Sequence, residues 1–552
     1  MWSRRLGSER VYRKLDQMIT RRRALELLAG AASAGLVCTS PVFAQAVDGG
    51  LDGRIAEEGL DRSQVMETAS WLSDRIGSRL TNSPGMRAAE QWTLAQFKRW
   101  KLRDVHAEPF DFGRGWSFDR ASIRMIEPRS RALSIIPIAW TPGFDRPVQH
   151  GVIVAPIAKD ADLARWTGKL AGKIVLISAP KVVSPLTAPP VHIYDDAELR
   201  ALEAPYTPET RQSDYAADMT ARLFAERLDA FLAREGAVAW IRKSYRDGEL
   251  VHGDTGYGAG YRVGRSRAVP GFEMAAEDYL RIVRLEESGA PVVLEIDSSV
   301  RFHDGDHNAN NIIADIPGTD PDGHYVMAGA HLDSWIAGDG AADNGAGVAI
   351  VMEAARILST LKVKPRRTIR FALWAAEEQG GLGSLAYIER HIATRPGQTV
   401  PGAAPSWAWS RRFPISPKPG FDRIDAYFNV DKGSGAIRGI FTEGNREVVP
   451  IFRQMLNRFA AFGASSVASG PAEGSDHSDF QSLGLPAFQF IQDPLDYESR
   501  VHHSNLDTFD HLAPLALRRN AVILATVLME TANREEALPR RPMPTGIGSK
   551  QQ

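Results

Sequence analysis

Residues 371–384 read FALWAAEEQGGLGS, an apolar run that ends in two adjacent glutamates, Glu377 and Glu378. The apolar part has the length of a buried strand. Because successive side chains of a strand point to opposite faces, two neighbouring carboxylates need two different partners, or one site reached by a bend. The three glycines at 380, 381 and 383 allow the chain to turn away closely behind such a site. The stretch therefore predicts a strand that brings two carboxylates to one place.

Strand and helix patterns alternate around this stretch, from residue 310 to residue 535. Strands are predicted at 325–330, 368–375, 424–430 and 487–491, and helices at 345–360, 446–462 and 512–533. Such alternation favours a mainly parallel sheet with helices on both faces. Ligand sites of these sheets form at the carboxyl ends of the strands. The predicted fold class is α/β, with the functional site at this edge of the sheet.

Two earlier regions have a different texture. Residues 51–108 show apolar residues at helical spacing and are predicted to be helical. From 120 to 300 the chain changes to short β runs, which predict a separate β-rich region. Within it, residues 186–235 are first polar and proline-containing and then helical, which indicates an insertion.

Composition and charge describe an ordinary soluble protein. The 552 residues are 43% hydrophobic and 24% charged, with a net charge of −1. The sequence has neither a basic stripe nor an acidic tail, so nothing in it favours a nucleic-acid partner. Its only cysteine, Cys38, lies in the N-terminal segment. If that segment is removed, disulfides, cysteine-ligated zinc and thiol nucleophiles are all excluded.

Residues 1–46 are interpreted as a removable export signal. Arg21-Arg22-Arg23 precede a weakly apolar, Ala/Gly-rich stretch, and Val42-Phe43-Ala44 form a cleavage site before Gln45. The paired arginines favour the twin-arginine route of bacteria, with a periplasmic or secreted product. The alternative, a membrane anchor, needs about 20 uninterrupted apolar residues, and this stretch is shorter. No membrane span is expected after removal, and Met18 is an alternative start of the signal.

Histidines and carboxylates collect where the predicted strands end. Alone, each has a plain explanation: Asp343 suits a helix N-cap, and Asp431 suits a turn. Imidazole and carboxylate without thiolate are ligands for zinc or a similar divalent ion. There are more of these side chains than one four-coordinate zinc can bind. They therefore suit a pair of ions about 3.5–4 Å apart with a bridging carboxylate. These residues are His331, Asp333, Asp343, Glu377, Glu378, Asp431, His502 and His503.

Five separated motifs closely resemble the M28 family of co-catalytic zinc exopeptidases. They are HLDSW at 331–335, DGAADNGAG at 339–347, LWAAEEQGG at 373–381, GSDHSDF at 474–480 and HHSNLDT at 502–508. Within that family, HLDSW and HHSNLDT look most like the carboxypeptidase Q branch. The resemblance implies the zinc exopeptidase fold, with residues 47–120 and 300–540 as the catalytic domain. Residues 121–299 look like an inserted protease-associated domain.

The resemblance also implies a role for each site residue. The ligands of two zinc ions would be His331, Asp343, Glu378, Asp431 and His503, with Asp343 bridging. Glu377 would be the general base, and Asp333 would hydrogen-bond His331 and fix its tautomer. The motif spacing selects His503 over His502, so His502 must point elsewhere. We expect either a structural role for His502 or contact with the substrate or the oxyanion, and we expect His477 to line the pocket.

The function implied is hydrolysis of a peptide bond near a chain terminus. The branch resemblance favours a carboxypeptidase or dipeptidase that acts on peptides or dipeptides, and it suggests a homodimer. An aminopeptidase of the same family is the alternative. A glutaminyl cyclase-like acyltransferase uses a single zinc, which the two-metal ligand set disfavours. A non-catalytic, receptor-like relative is disfavoured because all five ligands and the base are present.

Overall fold

The computed structural model describes residues 50–184, 187–206, 215–254, 260–265, 267–397 and 405–546. The predicted export signal lies outside the described residues. Fourteen α-helices and eighteen strands are found in the described part of the chain. The helices are α1 Leu51–Asp61, α2 Val65–Ser70, α3 Pro84–Arg99, α4 Asp160–Trp166, α5 Asp196–Leu202, α6 Tyr215–Arg234, α7 Ala276–Glu287, α8 Ala346–Thr360, α9 Leu382–His391, α10 Pro405–Ser410, α11 Gly420–Arg423, α12 Val449–Leu456, α13 His477–Gln481 and α14 Pro514–Asn533.

The strands form two large mixed sheets and one small ladder. The first sheet has the order β1-β10-β12-β11-β15-β18-β16-β17, the second β3-β2-β9-β5-β6-β7-β8-β4, and β13 pairs with β14. The strands are β1 Arg103–Asp111, β2 Gly115–Glu127, β3 Arg131–Leu133, β4 Ile135–Pro137, β5 Val148–Val154, β6 Ile174–Leu176, β7 Ala239–Lys243, β8 Gly271–Met274, β9 Val293–His303, β10 Asn308–Ile316, β11 Tyr325–His331, β12 Thr368–Trp374, β13 Ala393–Thr394, β14 Ser416–Pro417, β15 Ile424–Asn429, β16 Ile437–Phe441, β17 Ser466–Ala468 and β18 Ala487–Gln492.

The centre of the first sheet is parallel. Strands β12, β11, β15 and β18 run in one direction, and antiparallel strands flank them. All seven residues of β11, YVMAGAH, are buried. A continuous apolar run of this kind is typical of a parallel strand that is covered on both faces. The four strands therefore end at one common edge, as their sequence patterns predict.

Helices cover the two faces of this sheet. Helix α8 is buried along nearly its whole length and packs against α14 and β11. A helix that is apolar all round belongs in a core. On the other face, α9 and α13 contribute Tyr387 and Phe480 to a cluster with Trp374 and Tyr427. The predicted α/β class, a mainly parallel mixed sheet with helices on both faces, is confirmed.

The second sheet draws all its strands from residues 115–303. Its β2 and β9 form a long antiparallel pair, and β5, β6, β7 and β8 are parallel neighbours. Helices α5 and α6 fall in the predicted insertion at 186–235, part of which lies outside the described residues. From Arg54 onward, the described residues of both sheets belong to one compact unit. The proposed boundary between a catalytic and an inserted domain stays a prediction.

One element differs from its predicted type. The predicted helical region 51–108 ends in strand β1, which pairs antiparallel with β10 at the edge of the first sheet. Its alternation of exposed and buried residues marks it as an edge strand.

Among the described residues, we find no helix that combines the length and apolar character needed to span a membrane.

Candidate metal centre

The predicted ligands come from five elements that meet at one edge of the first sheet. His331 is the last residue of β11, and Glu378 follows the end of β12. Asp343 lies in a turn, Ala341–Gly345, that leads into α8, and its own backbone is not helical, with φ of −116° and ψ of 92°. Asp431 follows β15, and His503 follows a π-helical turn, Tyr497–Val501. Because parallel strands end at the same edge, residues 172 positions apart in the chain, as 331 and 503 are, become neighbours.

The five side chains form two groups that share Asp343. In the first, His331 Nε2 lies 3.3 Å from Asp343 Oδ1 and 3.3 Å from Asp431 Oδ1. In the second, His503 Nε2 lies 3.3 Å from Asp343 Oδ2 and 3.1 Å from Glu378 Oε2. The two oxygens of Asp343 thus face two different imidazoles, which is the arrangement that a bridging carboxylate requires.

These residues fit a divalent cation. Potential ligand atoms of His331, Asp343 and Glu378 lie within 4.8 Å of one another. Glu378 Oε1 and Asp343 Oδ2 are buried and have no hydrogen-bond partner among the described residues. A buried carboxylate oxygen without a partner is costly, whereas a cation would satisfy it. Nitrogen and carboxylate oxygen without sulfur form a donor set that zinc accepts.

The charges around the cluster lead to the same conclusion. Burial, together with the neighbouring Asp343, raises the pKa of Glu378 to about 7. Burial also raises the pKa of Glu377 well above its ordinary value, and nearby carboxylates add to that shift. Burial, together with the neighbouring Asp431 and Asp333, raises the pKa of Asp476 to about 8. Carboxylates that destabilise one another's charged forms create a place where positive charge is strongly favoured.

Asp333 supports the site through both its backbone and its side chain. His331 Nδ1 lies 3.0 Å from the Asp333 carbonyl oxygen, which can only accept, so Nδ1 carries the proton and Nε2 is free to bind a cation. The Asp333 carboxylate is farther from Nδ1, at 3.6 Å. It instead accepts hydrogen bonds from the backbone N–H groups of Glu377, at 3.2 Å, and Glu378, at 3.3 Å. The predicted control of the His331 tautomer therefore runs through the carbonyl.

The turn that carries the adjacent glutamates is sharp. Ala376 adopts a left-handed conformation with φ of 58°, and Gly381 follows with φ of 65°. A Cβ on Gly383 would lie 2.3 Å from the Ala375 carbonyl oxygen, so only glycine fits where the chain passes behind the strand end. Glu377 is half-buried, and no hydrogen bond of its carboxylate is found among the described residues.

His502 does not point away from the cluster, contrary to the prediction. Its Nε2 lies 3.7 Å from Asp343 Oδ2, and its ring centroid lies 3.8 Å from that of His503. The backbone of His503 is left-handed, with φ of 62°, and the two adjacent rings lie side by side. Asp343, His502 and His503 also lie close enough together to hold a cation, in addition to the two groups defined above.

His477 lies at the start of α13 and is buried. Its Nε2 is 3.5 Å from Glu443 Oε1, and its Nδ1 has no hydrogen-bond partner among the described residues. The structure does not place His477 in either ligand group. Its role in substrate binding stays a prediction.

Three supporting residues were missed in the sequence. Asp507 accepts hydrogen bonds from the backbone N–H groups of Ala342, at 2.6 Å, and Asp343, at 3.1 Å. It could have been found in the sequence because it belongs to the HHSNLDT motif. Arg79 is fully buried and donates to the carbonyls of Leu332 and Gly340, in the loop after β11. Asp254 comes from the β-rich region and faces His503. Neither Arg79 nor Asp254 carries a local sequence signal.

The model of peptidase family M28 matches residues 311–528. This chain is 24% identical to carboxypeptidase Q from Homo sapiens and 26% identical to carboxypeptidase Q from Rattus norvegicus. Each alignment covers 88% of this chain and 89% of the relative. The leupeptin-inactivating enzyme 1 of Streptomyces exfoliatus is 27% identical over 46% of this chain and 53% of its own.

Two solved structures share the fold. A peptidase M28 precursor from Shewanella amazonensis has a TM-score of 0.63 and 24% identity, over 90% of this chain and 98% of its own. A zinc aminopeptidase from Bacillus subtilis has a TM-score of 0.54 and 18% identity, over 86% of this chain and 95% of its own.

Proposed function

Because the chain is a metallopeptidase with a peptidase family M28 domain over residues 311–528, we propose that it is an exported di-zinc exopeptidase. The observation that carries this proposal is the pair of ligand groups that share Asp343. His331 and Asp431 would hold one ion and His503 and Glu378 the other, with Asp343 shared between them. Zinc is favoured by the donor set and by the similarity in fold to a zinc aminopeptidase.

Glu377 is the proposed general base. When bound, the two ions supply Lewis acidity, which favours deprotonation of water and polarises a peptide carbonyl. Glu377 stands beside the ligand groups, and Asp333 fixes the backbone on which it is carried. In this position its carboxylate can accept a proton from the attacking water and return it to the amine that leaves. Glu378, its neighbour, faces the imidazole of His503 and would be held by the ion.

The proposed substrate is a peptide or dipeptide with a free carboxyl terminus. The support is the similarity along 88% of the chain to proteins named carboxypeptidase Q. Similarity in fold to an aminopeptidase keeps attack at the amino terminus as the second candidate.

A homodimer is part of the proposal, and light scattering of the purified protein gives the mass that checks it.

Peptides blocked at one end test the substrate proposal. We expect the zinc-loaded protein to hydrolyse a dipeptide and an N-acetylated peptide with a free carboxyl end, because recognition would depend on that end. A peptide amidated at its carboxyl end should be cleaved far more slowly. Cleavage of the amidated peptide but not of the N-acetylated one would establish the aminopeptidase, and cleavage of none of these peptides would contradict an exopeptidase.

Export rests on residues 1–46, which lie outside the described residues. We expect the exported protein from a bacterial host to begin near Gln45. Replacement of Arg21, Arg22 and Arg23 by lysine should leave precursor inside the cell, because the twin-arginine route depends on the guanidinium pair. N-terminal sequencing of both fractions gives the answer, and an intact N-terminus on exported protein would contradict cleavage.

A further inference from the structure

The β-rich region is bound directly to the loop that carries His503. Segment 246–254, which follows β7, forms backbone hydrogen bonds from Gly253 N to His503 O and from Asn505 N to Val251 O, each 3.0 Å long. The guanidinium of Arg246 donates to the carbonyl of His502 at 3.0 Å. The proposed metal-binding loop is therefore fixed by a segment that lies outside the family match.

Segment 246–254 also packs against the loop that follows His331. A Cβ on Gly253 would lie 2.8 Å from the backbone nitrogens of Ile336 and Ala337, closer than a side chain can approach. Glycine is thus required where this segment enters between the two loops. The segment consequently has little freedom to move relative to either group of ligands.

Asp254 ends this segment and faces the imidazole of His503. Its Oδ2 lies 3.8 Å from His503 Nδ1, an ion-pair distance that exceeds a direct hydrogen bond. The other oxygen, Oδ1, accepts a hydrogen bond of 2.7 Å from Arg242 Nη2. Arg242 also donates to Glu273 at 2.7 Å, and Glu273 accepts from the backbone and ring nitrogens of His252. The Asp254 carboxylate is therefore held in place by a network of its own region.

The orientation of the His503 ring gives this contact its meaning. Nε2 faces Glu378 and Asp343, so Nδ1 must carry the proton if Nε2 is to bind a cation. A carboxylate on the far side of a metal-binding histidine favours that tautomer and orients the ring. We propose that Asp254 is a positioning residue for His503, so that the β-rich region completes the metal centre. This inference rests on the proposed function, in which His503 binds zinc.

The variant Asp254→Asn tests this role because it removes the charge and keeps the shape. We expect its affinity for one of two zinc ions, measured by competition with a chelator, to fall about 10–100-fold. The visible spectrum of the cobalt-loaded variant should change, because the ring of a ligand is reoriented. The metal-free melting temperature should stay near that of the wild type. Asp254→Glu, which restores a carboxylate, should recover much of the affinity.

Asp160→Asn is the matched control. Asp160 forms an exposed ion pair with Arg227 in the same region, and its loss should leave zinc affinity unchanged. Wild-type affinity in Asp254→Asn would overturn the inference and leave the two-zinc site intact. Equal weakening in Asp254→Asn and Asp254→Glu, with a lower metal-free melting temperature in both, would show a structural role and overturn it as well. A wild-type protein that binds no zinc would overturn the proposed function.

Discussion

Glu377→Gln is expected to lose about 10²–10⁴-fold in kcat while it retains the metal content of the wild type. Glutamine has the size of glutamate but cannot accept a proton from water. The Glu377 carboxylate forms no hydrogen bond with a described residue. Its backbone is held on both sides, because the N–H donates to Asp333 and the carbonyl accepts from Gly380 and Gly381. The substitution therefore removes the proposed base and breaks no contact of the fold. Kinetics on the zinc-loaded protein and elemental analysis give the two quantities.

The matched control for this variant is Glu226→Gln. Glu226 forms an exposed ion pair with Arg265 in the β-rich region, so its loss should leave both activity and metal content unchanged. Full activity in Glu377→Gln would remove Glu377 from the mechanism. Loss of an ion in that variant would reverse the roles of the two adjacent glutamates.

Glu378→Gln is expected to fail in a different way, by losing metal. Its Oε2 lies 3.1 Å from His503 Nε2, and its Oε1 is buried without a hydrogen-bond partner among the described residues. A neutral amide supplies less negative charge to a cation than a carboxylate does. Loss of a residue that only supports a ligand lowers metal affinity about 10–100-fold. Because Glu378 is itself a proposed ligand, we expect a larger loss of zinc affinity at one site.

A zinc titration separates the two variants. Added zinc should recover part of the activity of Glu378→Gln, because the base at position 377 remains in place. No zinc concentration should restore Glu377→Gln, since a missing proton acceptor cannot be replaced by metal. A Glu378→Gln protein that holds two ions as tightly as the wild type would contradict the assignment of Glu378 as a ligand.

The strands that build the site could be predicted because their signal is local. The buried runs at 325–330 and 368–375 agree with β11, Tyr325–His331, and β12, Thr368–Trp374, to within one residue. Their carboxyl ends carry His331 and the adjacent glutamates. Once four parallel strands are inferred, their common edge follows, and with it the meeting of residues far apart in the chain.

Contacts made across the fold could not be predicted in this way. The rings of His502 and His503 lie side by side where His503 has a left-handed φ of 62°, an angle that no pattern in the sequence reveals. Arg79 donates to carbonyl groups more than 250 residues away, and Asp254 faces His503 from the segment that follows β7 of the second sheet. A lone arginine or aspartate is common in any chain, so its partner appears only when the elements are packed.

The most direct test of the two-zinc exopeptidase is a zinc titration of metal-free protein, with bound zinc and hydrolysis of a free dipeptide measured together. The shared position of Asp343 between two ligand groups predicts two ions per chain at saturation, with full activity only when both are bound. Saturation at one ion, or full activity in the metal-free protein, would contradict the account.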